Sequence, residues 1–500
     1  MNLKAEIKQI NTLLKFYFLI LKIKRKINKS KVKKSFLLPN EMSLHHILLV
    51  MPLYLSILYR GYDIEIFLPI KSIKVLPIYF FLGIRKFHFI SSFNLNKSNN
   101  FVLKENYPDL RCDFENIIEA HLRSHYKIES TKILSNNVFI KNKLRKKIDS
   151  ILLNWQKINF DNIHGVFFTD CIYFPQGPIL LFMKAFYKDL KLYSYNIGHT
   201  SSSYVVNNIS HDGLSRHPYS PKQSLYKKHF QNYPPKDYLK LVKEISNRLH
   251  QYYEKEEWFS IVATSSYQDG SKLKFKKGSR KVFSIFPHIY WDSSVIWGED
   301  IFKDYREWFE ESVNYLLYNT NSIIIIKDHP ANLAKSLNKN LIYTSPIKEF
   351  INTKEKKYKD RIIYLEPSTK ISALNVINYS DCILTVRGTI GIESSVLGIP
   401  TICAGTGRYN FYGFGKFPTN KNEYFKLIQR IIKGSKLINN EERFRASLYL
   451  KILWDEMTSY SNFLDINHSL KSKKKIYVNC KDFSDKKILN QIDVLSKKLF

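Results

Sequence analysis

Three observations predict an α/β protein built from two Rossmann-like domains that face a cleft. From about residue 45, short apolar runs alternate with longer stretches at helical spacing. Those runs repeatedly end in polar or glycine-containing turns, as strands of a parallel sheet do. A polar stretch without apolar periodicity then divides the chain near its middle.

The elements follow in order. Ile47 to Arg60 reads as a helix stopped at Gly61, with a strand over Asp63 to Leu68. H-G-V-F-F-T-D (His164 to Asp170) and L-K-L-Y-S-Y-N-I-G-H-T (Leu190 to Thr200) read as strands, with a helix over Pro175 to Tyr187 between them. The aperiodic stretch Thr264 to Lys281 reads as a linker. Beyond it, strands are expected within Lys281–His288, Ser322–Pro330, Arg361–Leu365, Asp381–Val386 and Pro400–Ala404, and a helix over Asp304 to Tyr318. The expected plan is a basic arm (1–40), a first Rossmann-like domain (41–263), the linker (264–281), a second Rossmann-like domain (282–430) and C-terminal helices with a basic tail (431–500). Ligands of such sheets sit at the carboxyl ends of the strands.

Bulk properties narrow the function class. The chain has 500 residues, is 44% apolar and 15% aromatic, and carries a formal charge of +34. That composition is globular. The excess lysine is scattered and accompanies abundant Ile, Asn, Tyr and Phe, a codon-bias pattern, and no nucleic-acid module goes with it. No nucleic-acid partner is expected. Five dispersed cysteines without a C-x-x-C pair argue against a disulfide framework or structural zinc and fit a reducing cytoplasm. No metal and no cofactor are expected, and no P-loop pattern occurs. The apolar stretch Leu13 to Ile23 is too short to span a bilayer. With the basic run Lys22 to Lys34 it fits either an amphipathic helix on the inner face of an anionic membrane or a solvated basic arm.

Two stretches carry the chemistry. In T-V-R-G-T-I-G-I-E-S-S-V-L-G-I-P-T-I, a strand runs into a turn of small and hydroxylated residues, with a helix expected to begin near Ile392. Gly391 would let a ligand approach the backbone at the helix start, where free N–H groups favour an anion. Thr389, Ser394 and Ser395 offer hydroxyls, and Arg387 offers a guanidinium for phosphate or carboxylate. Glu393 suits sugar hydroxyls or a first-turn cap. In I-I-I-I-K-D-H-P-A-N, an apolar strand delivers Lys327, Asp328 and His329 at its end, and Pro330 stiffens the exit. His329 could donate a hydrogen bond or a proton to a leaving phosphate. The glycine-rich Gly405 to Gly415 reads as a mobile loop that brings Arg408 and Tyr409 near the ligand.

Together, K-D-H-P-A-N and the R-G-T-I-G-I-E-S-S turn resemble the C-terminal domain of GT-B glycosyltransferases over roughly residues 280 to 415. Within them they resemble the bacterial capsule polysaccharide biosynthesis group, which includes Kdo transferases and shares His-Pro and Ser-Ser features with bacterial sialyltransferases. The resemblance implies metal-independent transfer from a nucleotide-sugar donor, CMP-linked being one candidate, to a glycan or glycolipid acceptor. It places His329 and the Ser394–Ser395 pair at the donor phosphate. The sialyltransferase-like families also use an acidic base in a D/E-D/E-G motif, and this chain has no clean copy. S-H-D-G makes Asp212 the preferred base, with Asp170 and His199 as rivals at strand ends on the acceptor side; Asp269 in Y-Q-D-G falls in the linker. A teichoic-acid-type polyol-phosphate transferase, a nucleotide-sugar 2-epimerase and a non-catalytic assembly or export factor are the alternatives.

Overall fold

The computed structural model describes residues 3–26, 34–39, 44–90, 111–126, 138–169, 171–197, 203–210, 217, 219–254, 273, 275–291, 297–330, 332, 345–469, 475–481 and 484–499. The chain forms two compact units. The first comprises 1–121, 136–213 and 456–500, and the second 122–135 and 214–455. This division differs from the sequence plan in two respects. The helices between 223 and 254 belong to the second unit, and the C-terminal stretch returns to the first.

In the first unit, α1 (Leu3–Lys26), β1 (Ser35–Pro39), α2 (Leu44–Tyr59), β2 (Asp63–Pro69), α3 (Leu76–Phe81) and β3 (Lys86–Ile90) come first. After α4 (Arg111–Tyr126, of which 111–121 belong to this unit) and α5 (Val138–Trp155) follow β4 (Ile163–Phe168), α6 (Gln176–Phe186), β5 (Lys191–Ile197) and β6 (Ser203–Asn208). Strands β1 to β5 pair in parallel in the order 3-2-1-4-5, the order of a dinucleotide-type sheet. Antiparallel β6 and β12 (Thr458–Tyr460) extend one edge. The hairpin β13 (Leu464–Ser469) and β14 (Lys475–Cys480) and the last helix, Asp485–Leu499, close this unit. Strand β1 is buried along its whole length, as parallel strands covered on both faces are.

The second unit holds α7 (Gln223–Asn232) and α8 (Tyr238–Glu254), then β7 (Val282–Ile285), α9 (Tyr305–Asn319), β8 (Ile323–Lys327) and α10 (Pro346–Asn352). It continues with β9 (Ile362–Leu365), α11 (Ala373–Tyr379), β10 (Cys382–Thr385), α12 (Ile390–Leu397), β11 (Thr401–Cys403), α13 (Lys421–Ile432) and α14 (Asn440–Lys451). Its five strands are all parallel in the order β11-β10-β7-β8-β9, again 3-2-1-4-5 within the unit. Both units are therefore Rossmann-like α/β. One face of this sheet carries Phe283, Ile285, Ile324, Ile326 and Leu384 against Trp308, Phe309 and Val313 of α9. Helix ends are set by their own residues. Asp304 caps α9 by accepting the Glu307 N–H at 2.8 Å, and Asn439 with Glu442 forms a capping box on α14. Gly398 ends α12 at φ +84°, a left-handed position that glycine occupies without strain.

Candidate functional site

Strand order reverses in the second unit between β7 and β10, the place where open parallel sheets bind ligands. Register fixes what stands there. Leu384, Ile285 and Ile326 are direct partners on β10, β7 and β8. Three residues further along each chain come Arg387, His288 and His329. Three polar residues thus stand the same number of residues past directly paired positions of three adjacent strands. One position past the same partners come Thr385, Phe286 and Lys327.

His288 ties β7 to the turn after β10. Its Nε2 accepts the backbone N–H of Arg387 at 3.2 Å and lies 3.4 Å from the Thr385 hydroxyl. An acceptor at Nε2 puts the proton of the neutral ring on Nδ1. The ring packs against Tyr305 with centroids 4.9 Å apart. Sequence reasoning passed over His288, placing it only at the end of a strand. Its signal was nevertheless the same as that of His329: an apolar strand ending in a proline and a histidine.

His329 is half-buried on a loop organised by Asp328. The fully buried Asp328 carboxylate accepts from the His329 N–H at 2.7 Å, Asn332 Nδ2 at 2.8 Å, Ser345 Oγ at 2.9 Å and the Tyr364 hydroxyl at 2.8 Å. Four donors leave the carboxylate fully satisfied and the loop fixed. Lys327 is only 7% exposed. Burial pulls its ammonium down to about 8, while neighbouring Asp328 pushes the other way. A cation this close to its titration point gains from an anionic neighbour.

The turn between β10 and α12 differs from expectation in phase. The helix begins at Ile390 rather than near Ile392. Ser394 and Ser395 therefore point inward, wholly buried, and their hydroxyls donate to the Gly391 carbonyl at 3.3 and 2.7 Å. Ser394 also bonds the Thr401 hydroxyl. Both hydroxyls are spent inside the fold and do not offer a donor at the surface of the turn. Arg387 is corrected likewise. Its guanidinium is buried, ion-paired to Asp300 and bonded to the Trp297 carbonyl, so only its backbone reaches the strand ends. Gly391 faces Tyr409, whose hydroxyl would lie 2.0 Å from an added Cβ, and not open space. Gly388 and Thr389 are half-buried at the mouth of the turn, and among the described residues nothing accepts the backbone N–H groups of Thr389 and Ile390. Those two groups are the anion-binding part of the turn.

Glu393 is 2% exposed and accepts the Tyr253 hydroxyl of α8 at 2.6 Å. Burial raises its carboxyl to about 7, against the pull of Tyr253 and of nearby Arg408. It is thus joined to α8 and stands away from the half-exposed mouth of the turn. Arg408 belongs to a packed segment: its carbonyl accepts from Ser220 at 2.6 Å, and Tyr409, Tyr412 and Phe414 beside it are buried. The loop expected to be mobile is therefore anchored by aromatic packing. The Tyr409 hydroxyl donates to the Gly388 carbonyl at 3.1 Å and so supports the turn from beneath. Asp212, Asp170 and His199 lie outside the described residues. Among the described residues, no group of three His, Cys, Asp or Glu stands together as metal ligands would.

Residues 204–427 match the family model described as capsule polysaccharide biosynthesis protein. No curated protein matches the chain. Among solved structures, the KpsC β-Kdo 2,7 transferase of Thermosulfurimonas dismutans aligns at 11% identity, over 92% of this chain and 99% of its own, with TM-score 0.36. The KpsC β-Kdo 2,4 transferase of the same organism aligns at 16% identity over 67% and 88%, with TM-score 0.33. The UDP-GlcNAc 2-epimerase of Methanocaldococcus jannaschii aligns at 12% over 84% and 98%, with TM-score 0.30. At these scores the likenesses carry no argument about activity.

Proposed function

We propose, from the premise that residues 204–427 are a capsule polysaccharide biosynthesis segment, that the protein is a cytoplasmic glycosyltransferase. It would move a sugar from a nucleotide-activated donor, CMP-linked being one candidate, to a growing capsule or other surface polysaccharide. The observation that carries this reading is that His288, His329 and Arg387 each stand three residues past paired positions of three adjacent strands, with the Arg387 N–H bonded to His288. A phosphate placed there meets the N–H groups of Thr389 and Ile390, the His329 imidazole and the charge of Lys327. These groups stabilise negative charge where it grows as the sugar departs, which is how a site without a divalent metal lowers the barrier. In the step itself, the acceptor hydroxyl oxygen bonds to the anomeric carbon and the bond from that carbon to the phosphate oxygen breaks. The nucleotide leaves with the bonding pair, and the hydroxyl proton passes to a base, for which Asp212 is our first candidate and Asp170 and His199 the others.

The test is a thermal-shift panel of CMP, CDP, UDP and GDP on wild type, His329→Ala and His288→Ala. Stabilisation by one nucleotide that is lost in His329→Ala supports the reading and fixes the donor class. No shift with any nucleotide sinks it. Turnover of the matching nucleotide-sugar without an acceptor, to an epimeric nucleotide-sugar, would replace transfer by 2-epimerisation.

A further inference from the structure

Helix α1 is apolar on two opposite sides, and only one of them is used by the fold. Phe16, Leu19, Ile20 and Ile23 are buried in the core of the first unit, against α2 and β14. Thr12 adds a tie on that side by accepting the Cys480 N–H at 2.9 Å. On the opposite side, Ile7, Ile10, Leu14 and Phe18 follow at steps of three, four and four, a continuous helical stripe. They are 48%, 52%, 40% and 64% exposed. A helix of a soluble domain needs one apolar face, so the second stripe is unexplained by the core.

The surroundings of the stripe say what covers it. Lys4, Lys8, Lys15, Lys22 and Lys26 recur at steps of four and seven and form a row along one flank, in which Lys22 is ion-paired to Asp485 at 3.3 Å and Lys15 donates to the Lys481 carbonyl at 3.4 Å. Within α1 the one acidic residue is Glu6. On the other flank Tyr17 stacks on Phe81 at 4.7 Å, and Phe80 beside it carries Arg85 over its ring at 5.4 Å. Apolar side chains bordered by lysines and by aromatic rings make an interfacial surface: the stripe enters the acyl boundary and the cations meet headgroup phosphates. Among the described residues no helix is long and apolar enough to cross a membrane. A second copy of the chain would suit the stripe less well, because two-fold pairing brings the lysine rows together.

We propose that the outer face of α1, with Phe80 and Phe81, docks the protein on an anionic lipid bilayer through Ile7, Ile10, Leu14 and Phe18 and the lysine row beside them. This goes beyond the nucleotide-binding reading and does not depend on it.

The test is flotation of the full chain with vesicles of phosphatidylcholine alone or mixed with phosphatidylglycerol. Co-flotation is expected with the mixed vesicles only, and it should weaken as salt rises. Leu14→Glu/Phe18→Glu and Lys4→Glu/Lys8→Glu/Lys26→Glu should each lower the bound fraction about tenfold or more. All five side chains are exposed, so melting temperatures should match wild type and losses should report the surface rather than the fold. Three outcomes overturn the proposal. The first two are failure of the protein to float with anionic vesicles and flotation of both variants as wild type does. The third is a lipid-free dimer that Phe18→Glu converts to monomer, which would assign the stripe to a second copy.

Discussion

The Nε2 atom of His288 accepts the backbone N–H of Arg387 at 3.2 Å, a bond that joins residues 99 apart and locks the end of β7 to the turn after β10. The bond orients the ring and holds the turn whose Thr389 and Ile390 N–H groups are open to an anion. Removing the ring leaves the Arg387 N–H without its acceptor, at a cost of about 1–2 kcal/mol. His288→Ala should therefore lower the melting temperature by roughly 2–8 °C and abolish nucleotide stabilisation. His288→Gln, whose amide oxygen can accept the same N–H, should restore most of the stability. A nucleotide shift unchanged in His288→Ala would remove this residue from the site.

Asp328 offers a separate handle on the same site. Its carboxylate gathers four donors and sets the conformation from which His329 projects. Asp328→Ala removes the acceptor of the buried Ser345 hydroxyl and of the half-buried Tyr364 and Asn332 donors, and the loss should be about 2–4 kcal/mol. Asp328→Asn keeps one acceptor oxygen and should lose about half as much. Both should weaken nucleotide binding more than they lower stability in ligand-free protein. Titration of nucleotide into each variant under conditions where it is fully folded checks this, and wild-type affinity in Asp328→Ala would refute a positioning role.

Much of this was legible in the sequence, for physical reasons. The unbroken apolar run Ile323 to Ile326 reads as a covered parallel strand, and His329 stands out because it is the first polar residue past Asp328 at its end. The Gly398 stop and the Pro400 restart gave the end of α12 without help from the fold. What failed was helical phase. A start at Ile390 instead of Ile392 rotates the helix by about 200°, which turns Ser394 and Ser395 from the ligand side to the core. His288 was missed because its meaning depends on register between β7, β10 and β8, and pairing of distant segments is not written in local spacing. The same holds for the final helix, Asp485–Leu499, which packs on α2 more than 400 residues earlier.

Gly391 is required for packing, not for ligand approach. An added Cβ would stand 2.0 Å from the Tyr409 hydroxyl oxygen and 2.8 Å from its ring, and Tyr409 is wholly buried with nowhere to move. Gly391→Ala should cost about 1–3 kcal/mol through overpacking. Adding Tyr409→Phe removes the nearest atom and should recover part of that loss, a non-additivity that a double-mutant cycle by chemical denaturation would measure. Simple additivity of the two substitutions would show that the contact is not the cause.

Glu393 makes stability depend on pH with a definite sign. Its carboxyl is raised to about 7 in the folded chain from an ordinary 4.5, so between these values the folded state holds a proton that the unfolded state has released. Stability falls as pH rises wherever the folded state binds more protons. The contribution of Glu393 should thus be most favourable below about pH 4.5 and decline until about pH 7, then stay level. Glu393→Gln keeps an oxygen to accept the Tyr253 hydroxyl and removes the titration. The variant should melt close to wild type at pH 5 and above it at pH 8. Melting curves across that range check the sign: a wild-type advantage that grows with pH would mean that Arg408 holds the carboxylate ionised and that burial does not dominate.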